Sequence, residues 1–199
     1  MYKISLDNLN SLFSAIAEKQ GLYLPVDTEA GAKFERWEEG KELSDRLNTV
    51  RSPKDFFFPQ TENLMDFKVE GKSVEIIDTR SECEDFVIFG IRGCDVKSFE
   101  VLDRVFLADP IDTYYENRRR HSTIVSMACT RPVETCFCHT FGIDASEPEG
   151  DVVCYKTEDT LYLDAKTDKG VALLDGTSYE REARSADAVN VHIDRLLWN

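Results

Sequence analysis

Apolar residues along this chain recur with two periods, and the switches between them mark out most of the elements. Leu6, Leu9, Leu12, Phe13 and Ile16 fall at helical spacing, which predicts an amphipathic helix over residues 6–19, with Ser5 placed to cap its start and Gly21 to end it. Residues 22–26 and 32–37 then read as short strands across a polar turn, a hairpin. A second hairpin is predicted where 67–69 and 74–77 flank Glu70-Gly71-Lys72. Residues 85–92 hold a continuous apolar run, Phe-Val-Ile-Phe-Gly-Ile, suited to a central strand buried on both faces. Val96, Phe99, Leu102, Val105 and Phe106 form one stripe of a following helix, 95–107, with Asp95 at its start and Asp109-Pro110 ending it. Another short buried strand is expected at 123–127, then strands at 151–155 and 160–165, a short helix at 167–174 and a last helix at 186–198.

Strand, helix and strand over 85–127 make a crossover unit, since parallel strands need a long connection. The expected fold class is therefore α/β: a mixed sheet with flanking helices, and a cysteine-rich loop at the C-terminal edge of the strands. Residues 1–199 read as a single α/β domain, with 1–50 as a candidate helix–hairpin subdomain. Three consecutive phenylalanines, Phe56, Phe57 and Phe58, stand before Pro59 and cannot all face one side of a regular element. They read as a connection packing rings on two surfaces.

Composition narrows the function. Residues are 42% hydrophobic and 31% charged, with a formal net charge of −14. That charge opposes binding to nucleic acid or to an anionic membrane, because phosphate contacts need a basic face. No apolar run approaches the roughly 20 residues that cross a bilayer, and no signal peptide is read at the N-terminus. A cytoplasmic, reducing location is expected, in which six cysteines point to metal binding or catalysis rather than to disulfides.

Cys129, Cys136 and Cys138 sit in Ala-Cys-Thr-Arg-Pro-Val-Glu-Thr-Cys-Phe-Cys-His, and Cys94 lies upstream in Gly-Ile-Arg-Gly-Cys-Asp. Cys94 and Cys129 each follow a predicted buried strand, so neighbouring parallel strands would bring them to one edge, where open α/β sheets place ligands. Clustered thiolates are soft ligands, suited to an iron–sulfur cluster or to zinc. Cys94, at a helix N-terminus, is expected to gain thiolate character. His139 could replace a thiolate. Cys154 alternates within a strand as a core residue, and Cys83 lies in an acidic turn that raises a thiol pKa. Arg92 would offset the charge of the site, Asp95 would cap the helix, and Arg118, Arg119 and Arg120 form a basic run read as a solvated or partner-docking loop. No glycine-rich nucleotide loop appears, three histidines support no serine–histidine–acid arrangement, and no catalytic residue is assigned.

Taken in order, Gly-Ile-Arg-Gly-Cys-Asp, Leu-Asp-Arg-Val-Phe and the cysteine run resemble the N-terminal portion of the beta (iron–sulfur) subunit of cytoplasmic nickel–iron hydrogenases and sulfhydrogenases. A component of anaerobic sulfite reductase is similar. Phe58-Pro59-Gln60-Thr61-Glu62, Tyr114 to Arg119 and the Cys-Phe-Cys run through Gly142 also fit, so the resemblance covers roughly residues 50–175. It implies an electron-transfer subunit with a [4Fe–4S] cluster on Cys94, Cys129, Cys136 and Cys138. Such a subunit relays electrons between two partners, a flavin-containing reductase subunit on one side, and on the other a catalytic hydrogenase or sulfite reductase subunit. Members of the family continue into a ferredoxin-like region with two Cys-x-x-Cys-x-x-Cys runs, which these 199 residues do not contain. The competing readings are a zinc-stabilised scaffold for such a complex and a thiol-based oxidoreductase using Cys136 and Cys138.

Overall fold

The computed structural model describes residues 1–175 and the two-residue strand at 180–181. Tyr2 and Ile4 turn inward, so the chain opens with strand β1 (Tyr2–Ser5). The helix predicted next is a 3-10 turn over Leu6–Asn8 that runs into α1 (Leu9–Ala17) and buries Leu12, Phe13 and Ile16. Ser5 makes no capping bond, because it is the last residue of β1 and pairs with Thr160. Gly21 opens β2 (Gly21–Thr28), which forms the expected antiparallel hairpin with β3 (Gly31–Arg36). The second hairpin is present as β4 (Met65–Glu70) and β5 (Ser73–Asp78), a two-stranded sheet of its own.

The crossover unit follows: β6 (Phe86–Ile91), α2 (Gly93–Phe106), a helix absent from the sequence reading, α3 (Thr113–His121), and β7 (Ser122–Met127). β8 (Val152–Lys156), β9 (Thr160–Ala165), α4 (Asp168–Asp175) and β10 (Glu180–Arg181) complete the described residues. The helix expected over 186–198 lies outside them. The main sheet has eight strands in the order β10-β1-β9-β8-β7-β6-β2-β3. β2, β6, β7 and β8 pair in parallel, and the outer strands pair antiparallel, so the sheet is mixed as expected.

Two apolar cores lie on the two faces of this sheet. One gathers Leu12, Phe13 and Ile16 of α1 and Leu173 and Leu174 of α4 over Val87, Phe89, Val125 and Val152. The other gathers Phe57, Val96, Phe99 and Tyr115 over Ile88, Ile91 and Ile124. In β6, strict alternation would put Ile91 with Phe89. A bulge shifts the register between Phe89 and Ile91, at Gly90, whose φ of +82° is a left-handed value. A Cβ on Gly90 would also lie 3.2 Å from the Pro25 ring.

The triple phenylalanine divides its rings as the sequence suggested. Phe57 is fully buried against Phe99 at 4.8 Å in an edge-on contact. Phe56 stands edge-on to Tyr23, also at 4.8 Å, while the exposed Phe58 stacks on Phe106.

The basic run is not a loop. It belongs to α3, which Asp112 caps by accepting from the Tyr114 and Tyr115 backbone N–H groups. Arg118 donates to the Phe57 carbonyl and contacts Glu62, so two segments of the family resemblance meet in space. Arg119 forks onto both Asp103 oxygens at 2.9 and 2.8 Å and lies over the Phe57 ring, tying α3 to α2. Burial alone would raise the Asp103 pKa, but the hydrogen bonds from Arg119 and Tyr115 outweigh it and hold the carboxyl below its ordinary value. A depressed folded pKa contributes stability above the unfolded value of about 3.9, which is lost as pH falls through the folded value. Asp103→Asn should therefore cost about 2 kcal/mol near neutral pH. Urea midpoints of the variant and the parent should converge as pH falls below the depressed folded value. A gap independent of pH would show that the ionised carboxyl is not what Arg119 holds.

Candidate metal centre

Each of the four cysteines owes its position to a different local device. β6 delivers the chain to the first turn of α2, where Cys94 is the second helical residue. Gly93, just before it, passes so close under the loop that an added Cβ would lie 3.1 Å from Pro148 and 3.3 Å from Ile143. β7, the parallel neighbour of β6, ends at Met127, and Cys129 follows two residues later, fixed by its N–H on the Ala145 carbonyl at 2.8 Å. The two strand ends thus lie side by side, as the crossover argument required. In the loop beyond, the Cys136 N–H bonds the Val133 carbonyl, and its sulfur accepts from the Val133 N–H at 3.4 Å. Cys138 opens a 3-10 turn, Cys138–Phe141, which closes on the left-handed Gly142.

Cys94, Cys136 and Cys138 line one cavity of about 310 Å³, together with Asn48, Ser52, Asp95, Thr135 and Ile143. Cys129 is not among its lining residues, but its thiol feels the charges of Arg92, Cys138 and Cys136. All four candidates are therefore brought within electrostatic reach of one another. Among the described residues, no three His, Cys, Asp or Glu side chains are arranged to share one metal ion. His139 is exposed. Cys154 is fully buried in the core as expected, and burial pushes its thiol pKa up. Cys83 is raised by burial first and by Asp85 and Glu84 only secondarily, so its acidic setting is a smaller cause than the sequence suggested.

Electrostatics correct a second expectation. Position at a helix N-terminus does not give Cys94 a thiolate: its pKa is pushed up to about 12, by burial first and then by the charge of Asp95 and the neighbouring Cys138 and Cys129. The residue is exposed at its surface, yet enough protein surrounds the sulfur for desolvation to dominate. Burial likewise raises Cys129 and Cys138, opposed at Cys129 by the Arg92 guanidinium. Arg92 also donates to the Ala128 carbonyl at 3.1 Å, which secures it beside Cys129. Asp95 caps nothing, since Arg92 is the residue before the helix and no side chain caps it. The Asp95 carboxylate instead accepts from Ser52 at 2.8 Å.

These donors fit a metal group by their chemistry. Ionised thiols crowded into a low-dielectric site repel one another, and a bound cation reverses that cost and holds them deprotonated. A single zinc ion would need sulfurs about 2.3 Å from the metal, hence under about 4 Å apart. A four-iron cluster spreads its four thiolates over four irons, a looser demand on spacing. Ser52, Asn48 and Thr135 were not legible as site residues. Asn48 and Thr135 bond each other at 3.0 Å across the rim, and a contact spanning 87 positions leaves no local signal.

The chain is 31% identical over 169 residues, 84% of its length, to the sulfhydrogenase 2 subunit beta of Pyrococcus furiosus, and it spans 49% of that protein. It thus covers about half the length of the curated relative it matches. No protein-family model matches the chain, nor does any solved structure.

Proposed function

From this kinship with a hydrogenase beta subunit, we propose that the chain is an electron-relay portion of a multi-subunit oxidoreductase, holding a [4Fe–4S] cluster on Cys94, Cys129, Cys136 and Cys138. It has two partners in this reading: a flavin-containing reductase subunit, and a catalytic subunit of the hydrogenase or sulfite reductase kind. The observation that carries it is the meeting of Cys94, Cys136 and Cys138 around one cavity, with Cys129 coupled to it at the adjoining strand end.

When bound, such a cluster supplies reversible one-electron storage. The chain's own groups set its surroundings. Arg92 places positive charge beside the Cys129 sulfur. The Val133 N–H donates to the Cys136 sulfur, the kind of contact by which a protein tunes cluster potential. Phe137 and Phe141 stand exposed with ring centroids 5.6 Å apart, an apolar flank on the cysteine loop for a partner to cover. Burial raises the Cys138 thiol pKa, which argues against that residue as a thiolate nucleophile.

Anaerobic purification with metal analysis tests the reading. About four irons per chain with a brown chromophore that bleaches on reduction is expected. One equivalent of zinc would establish the scaffold instead, and metal-free protein with titratable thiols would refute both.

A further inference from the structure

The β4–β5 hairpin buries almost nothing. Met65, Phe67 and Val69 of β4 stand on the same face as Val74 and Ile76 of β5, since Phe67 pairs with Ile76 and Val69 with Val74. All five are more than half exposed, Phe67 most at 69%. On the opposite face Asp66, Lys68, Glu70 and Glu75 are exposed as well, and Ile77 is half-buried. An isolated two-stranded hairpin is marginal in water, and an uncovered apolar face with two free edges invites association.

The base of this arm, in contrast, is fixed. Thr79 donates to the Asn63 and Leu64 carbonyls at 3.0 and 3.3 Å. Tyr114 of α3 donates to the Leu64 carbonyl. Asn117 donates to the Arg80 carbonyl at 2.9 Å, and the Arg80 guanidinium bonds Thr113 and lies over the Tyr114 ring. An anchored base and a bare arm together hold the apolar face in one direction away from the body of the protein.

We propose that this arm is a docking element that inserts lengthwise into a groove of a different protein chain, one with an apolar floor and a lysine- and arginine-rich rim. Flat pairing of this arm with the same arm of a second copy would bury too little to hold. Six residues at about 3.3 Å each, across two strands about 4.8 Å apart, give a flat footprint of about 200 Å². A stable pair needs about 800 Å² per partner. A concave surface that wraps both faces and an edge covers at least twice that area, and strand addition along a free edge supplies main-chain hydrogen bonds besides. Charge points the same way. Residues 65–78 carry Asp66, Glu70, Glu75 and Asp78 against Lys68 and Lys72, on a chain of net charge −14, so two copies repel and a basic rim attracts.

The test uses the full chain, tagged and made in its native cell, with a photo-crosslinking amino acid at position 67. The expected result is one dominant adduct to a single different protein, its crosslinked peptide apolar and flanked by lysine or arginine. Phe67→Asp with Ile76→Asp should cut co-purification of that same protein at least tenfold, and raised salt should weaken it, with melting temperature and metal content unchanged. Unchanged metal content separates this inference from the cysteine site. A dominant adduct between two copies of this chain, no adduct, or undiminished co-purification by the double variant would each overturn it.

Discussion

Replacing Cys129, Cys136 or Cys138 by serine is expected to reduce bound metal to near zero, and Cys94→Ser should do the same. A serine oxygen is a harder and more basic donor than a thiolate and does not replace it for a soft metal group. The loss should be all-or-none, because an opened site admits solvent and the remaining thiols are poor ligands unless the metal itself keeps them ionised. Cys83→Ser and Cys154→Ala serve as controls. Cys83 lies 11 positions before Cys94, outside the cavity, and Cys154 is sealed in the core against Met127 of the neighbouring strand. Metal per chain, measured after anaerobic purification, decides the matter. If a control loses the metal while Cys94→Ser keeps it, the ligand assignment is wrong.

The largest loss of stability is expected at Phe57→Ala. Its ring has no exposed surface and touches Phe99, Phe86 and Tyr115, with the Arg119 guanidinium 4.9 Å above it. Truncation removes a full aromatic burial and leaves a cavity bounded by two helices and a strand, a cost of about 4 kcal/mol. For a chain of this size that corresponds to a fall in Tm of about 12 °C. Phe58→Ala, one residue away, removes only a ring stacked at 4.8 Å on Phe106 and half open to solvent, for about 1 kcal/mol or less. Equal losses at the two positions would mean that the split of the triple phenylalanine between core and surface is mistaken.

Legibility in the sequence followed the strength of the local pattern. β6, β7 and α2 combine an unbroken apolar run with a helical stripe, and such patterns survive without knowledge of the rest of the chain. α3 was missed because Thr-Tyr-Tyr-Glu-Asn-Arg-Arg-Arg-His offers no apolar stripe; it buries only Tyr115 and Asn117 and holds to α2 through the Arg119–Asp103 fork. Its one local sign was Asp112, placed as a cap. β1 was not read as a strand because four residues carry too little alternation, and pairing with β9 rather than propensity makes it one. At the cysteines, convergence of strand ends was readable from the crossover rule, whereas the thiol pKa values were not. Helix position is visible in sequence, but desolvation, which here outweighs it, is a property of the assembled loop.

The bulge at Gly90 gives β6 a phase. A strand alternates faces with a period of two, and one extra residue inverts everything beyond it. Val87 and Phe89 belong to the α1 side, and the inversion sends Ile91, and with it the start of α2 and Cys94, to the α2 side. A single-residue deletion within 86–91, harmless by composition, would point the chain into the wrong layer and separate Cys94 from the strand end that carries Cys129. Relatives that share the site should therefore keep the length of this strand more strictly than its side chains.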